Sequence, residues 1–326
     1  MSLPSGCGVC GQQDGVLRCS GCKVMPYCGV DHQKAHRQEH KSACSAIRRS
    51  RVAMEKAEKD LRERSATVFT NDIGQFWDLV ETRPYMLARA ALTDNLNRVH
   101  NVEAVQAQLD HLMENLRLCR SDNMGSRHVI PSLMIRLQKE QECYDFLKWW
   151  ATTGQDDNYD WGDTTKPYLD IKNANPLEPV DIFCDNLIDL PFLTSLTLLK
   201  IKVLYLFYLP LIESGRAAAF EGAEQSMRFK DSSIAHNPHI VNCANRFSEI
   251  EKLRAQICTL YKAVHSMNPH FWPALLNPAE HVRAHPMTFS PGSAEQMQVA
   301  LNLTYDSWFE NLEATAAIRL AMADDL

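Results

Sequence analysis

Eight residues near the start of this chain dictate its first fold: Cys7-x2-Cys10, Cys19-x2-Cys22, Cys28-x3-His32 and His40-x3-Cys44. Each C-x2-C pair places two thiolates on one tight knuckle, close enough to share a tetrahedral zinc ion. Cys28 and His32, like His40 and Cys44, stand four residues apart, which puts each pair on one face of a helix. Four local pairs fill two zinc shells and leave no position open. That closure points to structural rather than catalytic zinc. Few large apolar residues, among them Leu17, Val24, Met25 and Tyr27, lie among the ligands, so metal binding would supply the folding energy of this segment. On sequence alone, chelation is expected to unfold residues 1–44 and leave the remainder helical.

The spacing resembles the MYND zinc-finger family, together with the Tyr27-Cys28 step and the Gln33-Lys34-Ala35 run after the sixth ligand. Ligand pairs interleave in that family. The resemblance therefore implies one zinc on Cys7, Cys10, Cys28 and His32 and another on Cys19, Cys22, His40 and Cys44. Two positions depart from the family: His32 replaces the usual cysteine, and Arg37 stands where tryptophan is common on a peptide-docking surface. His36, on the same helix, is the alternative sixth ligand.

Composition separates this segment from the remainder of the chain. Six of eleven cysteines precede residue 45, a clustering that indicates metal rather than disulfides. Cys119, Cys143, Cys184, Cys243 and Cys258 are scattered in apolar contexts and read as small core residues. Eight Lys and Arg against three acids leave residues 1–52 at +5, so residues 53–326 carry −11 of a total of −6. Six thiolates on two zinc ions would lower the basic end to about +3. No basic region followed by an apolar run opens the chain, so no secretory signal is expected. The reading is cytoplasmic, with the nucleus as an alternative. The apolar stretch Leu187–Ile212 is interrupted by Asp189, Lys200 and Lys202, which favours a buried helix over a membrane span.

The expected fold is mainly α: a finger over 1–46, a charged connecting helix over 47–74, helical hairpins over 75–150, and an acidic loop with a C-terminal helical region over 151–326. Apolar positions recur at three and four through Met86, Ala90 and Leu96, and again through Val102, Val105, Leu109, Leu112 and Leu116. Gly125 closes a turn before helices near 129–137 and 141–150. Paired helices of this kind look tetratricopeptide-like, with about two units in an irregular body. Further helices are expected over 193–209, after a loop beyond Gly215 over 247–265, and from a cap at Ser293.

Glycine-rich phosphate loops, G-x-S-x-G, H-E-x-x-H and SET-methyltransferase motifs are absent from the sequence. The one constellation suited to chemistry is Asp156-Asp157-x-x-Asp160, followed by Asp163, in a polar and aromatic loop. Four carboxylates within eight residues repel unless they hold a cation or a guanidinium. The alternative is a solvated loop whose Tyr159 and Trp161 pack on helices. Segments such as TRPYMLARAAL, LRLCRSDNMG, QECYDFLKWW, YDWGD and NPHFWPALLNP resemble a group of fungal MYND proteins that includes, or neighbours, the arginine-containing cyclodipeptide synthases. That likeness implies condensation of arginyl-tRNA with a second aminoacyl-tRNA to a diketopiperazine, with Asp156, Asp157 and Asp160 in place of a D-D-x-x-E motif. Tyr159 and Tyr144 are secondary candidates for proton transfer. The competing expectation is a non-enzymatic adaptor that binds protein partners through the finger and helical body, with no membrane partner.

Overall fold

The structure, a computed structural model, describes residues 3–184, 189–215 and 227–324. Leu187 and Ile188 of the apolar stretch, and the loop beyond Gly215, lie outside them. Among the described residues the fold is helical, with one two-stranded antiparallel sheet in which Leu17 pairs with Tyr27 and Arg18 with Pro26. The chain divides into two compact units, Ser2–Leu133 with Asp160–Tyr168, and Met134–Tyr159 with Leu169–Leu326.

In the finger-bearing unit a single helix runs from Arg37 to Arg64, through the expected join of finger and connecting helix. It starts with His40 and Cys44 and continues into charged residues that pair along its exposed side, among them Arg62 with Glu58 at 2.8 Å. Against it packs a hairpin of helices Arg83–Leu96 and Val102–Leu118. Pro84 suits the first turn of the former, where its missing N–H has no partner to lose. Asn101 caps the latter by accepting from the Ala104 N–H at 2.8 Å. Its side-chain amide also donates to the Val24 carbonyl of the finger at 2.8 Å. Buried Arg89 spends its guanidinium inside the hairpin, donating to Asn115 Oδ1 at 3.1 Å and to the Tyr85 hydroxyl at 2.9 Å. One contiguous apolar core joins Cys22, Val24 and Tyr27 to Ile47, Met54, Leu92, Leu96 and Val99. The finger is therefore one wall of this unit's core.

The second unit is built around helix Leu190–Glu213, which is apolar on all sides and correspondingly buried. It is long and apolar enough to cross a membrane, yet most of it is covered by protein. Helices Arg246–Met267, Glu140–Ala151 and Ala294–Phe309 pack on it. Ser293 caps the last of these by accepting from Gln296 N–H. Two lysines interrupt the apolar helix, and both are buried. Lys200 donates to Pro176 O at 2.7 Å, Glu178 O at 3.0 Å and Gln256 Oε1 at 2.7 Å, and Lys202 pairs with Glu140. Burial pulls the Lys200 ammonium down to about 7, against the raising effect of Glu178. Tyr144, Trp149 and Trp150 are core residues. Helices Ile130–Arg136 and Glu140–Ala151 have 7 and 12 residues against 14 and 17 in the first hairpin, so the body is irregular rather than a repeat.

Candidate metal centres

The two knuckles are shaped by backbone hydrogen bonds. Gly11 N–H donates to Cys7 O at 2.8 Å, and Lys23 N–H to Cys19 O at 2.8 Å. Lys23 holds a left-handed φ of 63°, an uncommon conformation for a non-glycine residue and one that closes the second knuckle. Gly21 sits between ligands: a Cβ there would lie 2.7 Å from Cys44 Sγ. The sulfur ligands thus require glycine at that position. The helices deliver the remaining donors, with His32 from Val30–Ala35 and His40 and Cys44 from the start of Arg37–Arg64.

Two groups result, and their ligating atoms all lie within 4.8 Å of one another: Cys7, Cys10, Cys28, His32 and Cys19, Cys22, His40, Cys44. Cys10 Sγ and Cys28 Sγ are 3.7 Å apart, as are Cys19 Sγ and Cys44 Sγ. A tetrahedron with Zn–S bonds of about 2.3 Å has edges of about 3.7–3.8 Å. The sulfur spacing therefore fits zinc. Cys28 Sγ approaches His32 Nδ1 at 3.0 Å, and Cys22 Sγ approaches His40 Nε2 at 3.4 Å. The two imidazoles consequently present different nitrogens. All four residues of the second group are buried, whereas in the first Cys10 is exposed.

The choice between the two histidines falls on His32. His36 Nδ1 lies 3.0 Å from the Tyr27 hydroxyl, and its ring stacks on His40 with centroids 5.7 Å apart. It therefore buttresses a ligand without belonging to either group. Two further supports were invisible as a sequence pattern. Arg51, two turns beyond Cys44, donates to the Cys22 carbonyl at 3.1 Å, and Asn101 holds the Val24 carbonyl behind the same knuckle. Such groups orient first-layer ligands.

The acidic loop has another local use. Asp156 Oδ1 accepts from Asn158 N–H at 2.9 Å, and Asp160 Oδ1 from Gly162 N–H at 3.0 Å. Asp163 Oδ1 accepts from Thr165 N–H and Oγ1–H, bonds that hold its carboxyl below the usual carboxylate range. Each carboxylate closes a turn two residues ahead. Asp156, Asp157 and Asp160 are exposed, and among the described residues they join no group of converging ligand atoms. Tyr159 packs edge-on to Trp149 with ring centroids 5.6 Å apart. In the finger-bearing unit Arg120 gathers the carbonyls of Asp163, Thr164 and Lys166 at 3.3, 2.9 and 3.1 Å. The guanidinium on that stretch is thus the chain's own, and it binds backbone rather than carboxylate.

Residues 7–44 match the MYND finger family. Similar proteins include the Rho GTPase-activating protein gacZ of Dictyostelium discoideum, 38% identical over 60 residues, which are 18% of this chain and 6% of that protein. The Tudor domain-containing protein 1 of Oryzias latipes is 46% identical over 41 residues, 13% of this chain and 4% of that protein. The chain thus covers only a small part of the length of these relatives. No solved structure matches the chain.

Proposed function

We propose that this protein is an adaptor whose two-zinc finger docks a partner protein. The observation that carries this reading is the surface left on the finger once both ligand groups close. Leu17, Val30 and Val9 remain 78%, 63% and 48% exposed on a segment with few apolar residues to spare. Closed shells offer no place for substrate at either metal, so the finger acts through its surface. The short matches to two much longer proteins fit a finger used as a transferable module. An extended apolar peptide segment, proline-containing as the family resemblance suggests, suits these side chains and the mildly basic finger.

Selection of a displayed peptide library on the zinc-loaded full chain tests this. Enriched peptides are expected to bind with micromolar Kd, and Leu17→Asp is expected to weaken them at least about tenfold without shifting the melting temperature by more than a degree or two. Selection that yields no saturable binder, or binders indifferent to Leu17→Asp and Val30→Asp, would remove the adaptor reading.

The finer reading, a tRNA-dependent arginine-containing cyclodipeptide synthase, rests on sequence likeness and on Asp156, Asp157 and Asp160. Expression in bacteria followed by mass spectrometry of the culture separates it from the adaptor. Synthase activity requires arginine-containing cyclic dipeptides that vanish in Asp156→Asn and Asp157→Asn. An adaptor gives none from soluble, zinc-loaded protein.

A further inference from the structure

In the second unit, the turn-containing segment Asn175–Val180, with Asp181 at the start of helix Asp181–Cys184, faces helix Arg246–Met267 across a cleft of about 680 Å³. That lies within the range of small-ligand sites. Its walls are fastened from behind by buried groups. Lys200 donates to the carbonyls of Pro176 and Glu178 on one wall and to Gln256 Oε1 on the other. Gln256 Nε2 returns a bond to Leu177 O at 3.1 Å. One ammonium and one amide therefore hold the two sides at a fixed separation, and the cleft is preformed. Leu177, Pro179, Val180 and Ala255 give it an apolar lining.

Three carboxylates and one ammonium, those of Glu178, Asp181, Glu249 and Lys252, also line it. Two of the carboxylates are spoken for. Glu178 accepts from the Tyr144 hydroxyl at 2.6 Å and from Lys148 at 2.8 Å, and Glu249 from Lys252 at 2.7 Å. Asp181 has no hydrogen-bond or ion-pair partner among the described residues. The Lys200 ammonium, buried behind the wall, has a protein acceptor for each of its three protons. We propose that this cleft binds an alkylguanidinium or alkylammonium group, with the cation at Asp181 and the hydrocarbon stem along Leu177 and Ala255. The group can come from a free small molecule or from an arginine or lysine side chain of a peptide. Neither the finger nor the acidic loop takes part in it.

Titration calorimetry on the full, zinc-loaded chain with butylguanidinium, a blocked Gly-Arg-Gly peptide and valerate as the anionic control tests this. Saturable butylguanidinium binding with Kd on the order of 1 mM is expected, with none for valerate. Asp181 is exposed, so Asp181→Asn should fold normally; it is expected to weaken binding about fivefold. Lys252→Gln, which removes the one lining ammonium, is expected to tighten it about twofold or more. A peptide at least about tenfold tighter than butylguanidinium identifies a peptide-borne cation, and equal affinity a free one. The proposal is overturned if the cation shows no saturation up to about 50 mM, if valerate binds as well, or if both variants leave affinity unchanged.

Discussion

Removal of zinc with a strong chelator is expected to melt far more than the finger. The ligand-bearing segment shares its core with the helices after it: Cys22, Val24 and Tyr27 pack in one cluster with Ile47, Met54, Leu92, Leu96 and Val99. Backbone and side-chain hydrogen bonds cross the same boundary. Val102 N–H donates to Pro4 O at 3.0 Å, Asn101 to Val24 O, and Arg51 to Cys22 O. Helix Arg37–Arg64 begins inside the second ligand group and ends far outside it. Structural zinc contributes roughly 10–16 kcal/mol of folding free energy in isolated fingers at neutral pH, as large as the whole stability of an ordinary domain. The expectation drawn from sequence, loss of residues 1–44 alone, therefore gives way to a larger one. Hydrogen exchange after chelation should accelerate by several orders of magnitude in Arg83–Leu96 and Val102–Leu118, while amides of Leu190–Glu213 in the other unit keep their protection. Cys22→Ser should reproduce the pattern. Exchange that rises only over residues 3–44 would show that the shared core holds without metal.

The reach of the sequence can be traced residue by residue. The ligand set was legible because zinc chemistry acts over short spacings: four pairs, each within five residues, leave little freedom. The choice of His32 over His36 required the Tyr27 hydroxyl, nine residues before His36, and no pattern encodes that contact. Helices were legible where apolar residues recur with helical period, as in Val102–Leu118, and where an unbroken apolar run such as Leu190–Glu213 had to be covered on every side. Contacts distant in sequence were not legible. Asn101 reaches Val24 across 77 residues, and Lys200 reaches Gln256 across 56.

The acidic loop carried two signals at once. Read by charge, its carboxylates suggested a cation site. Read by spacing, Asp156 before Asn158, Asp160 before Gly162 and Asp163 before Thr165 are three side chains placed to accept the N–H two residues on. The structure shows the second use. Local hydrogen bonding to the chain's own backbone is available to every aspartate in a turn, whereas a cation must be recruited against solvent.

The lysine that breaks the apolar helix beside Lys200 sets the second large effect. Lys202 is 3% exposed and its partner Glu140 is fully buried, so each charge depends on the other. Glu140 opens helix Glu140–Ala151, where the helix dipole also favours a carboxylate, and the Lys202 ammonium lies 4.5 Å from the ring centre of Phe229. Neither Glu140 oxygen has another hydrogen-bond partner among the described residues, so the ion pair is what compensates their burial. Glu140→Leu strands an ammonium in the core, and Lys202→Met strands a carboxylate. Each is expected to destabilise the chain by about 3–5 kcal/mol, because an unpaired buried charge loses its solvation and gains nothing. That corresponds to a melting temperature lower by roughly 10 °C for a unit of this size. The double variant Glu140→Leu with Lys202→Met removes both charges and keeps apolar volume, so it should recover most of the loss. Urea titration of the four proteins reads the coupling directly: a coupling of at least about 2 kcal/mol is expected. Additive losses would mean that the two charges are solvated independently. Recovery in the double variant would also identify the role of the pair. It would fix helix Glu140–Ala151 against helix Leu190–Glu213 by selecting one register among the many that an all-apolar contact tolerates, with little net contribution to stability.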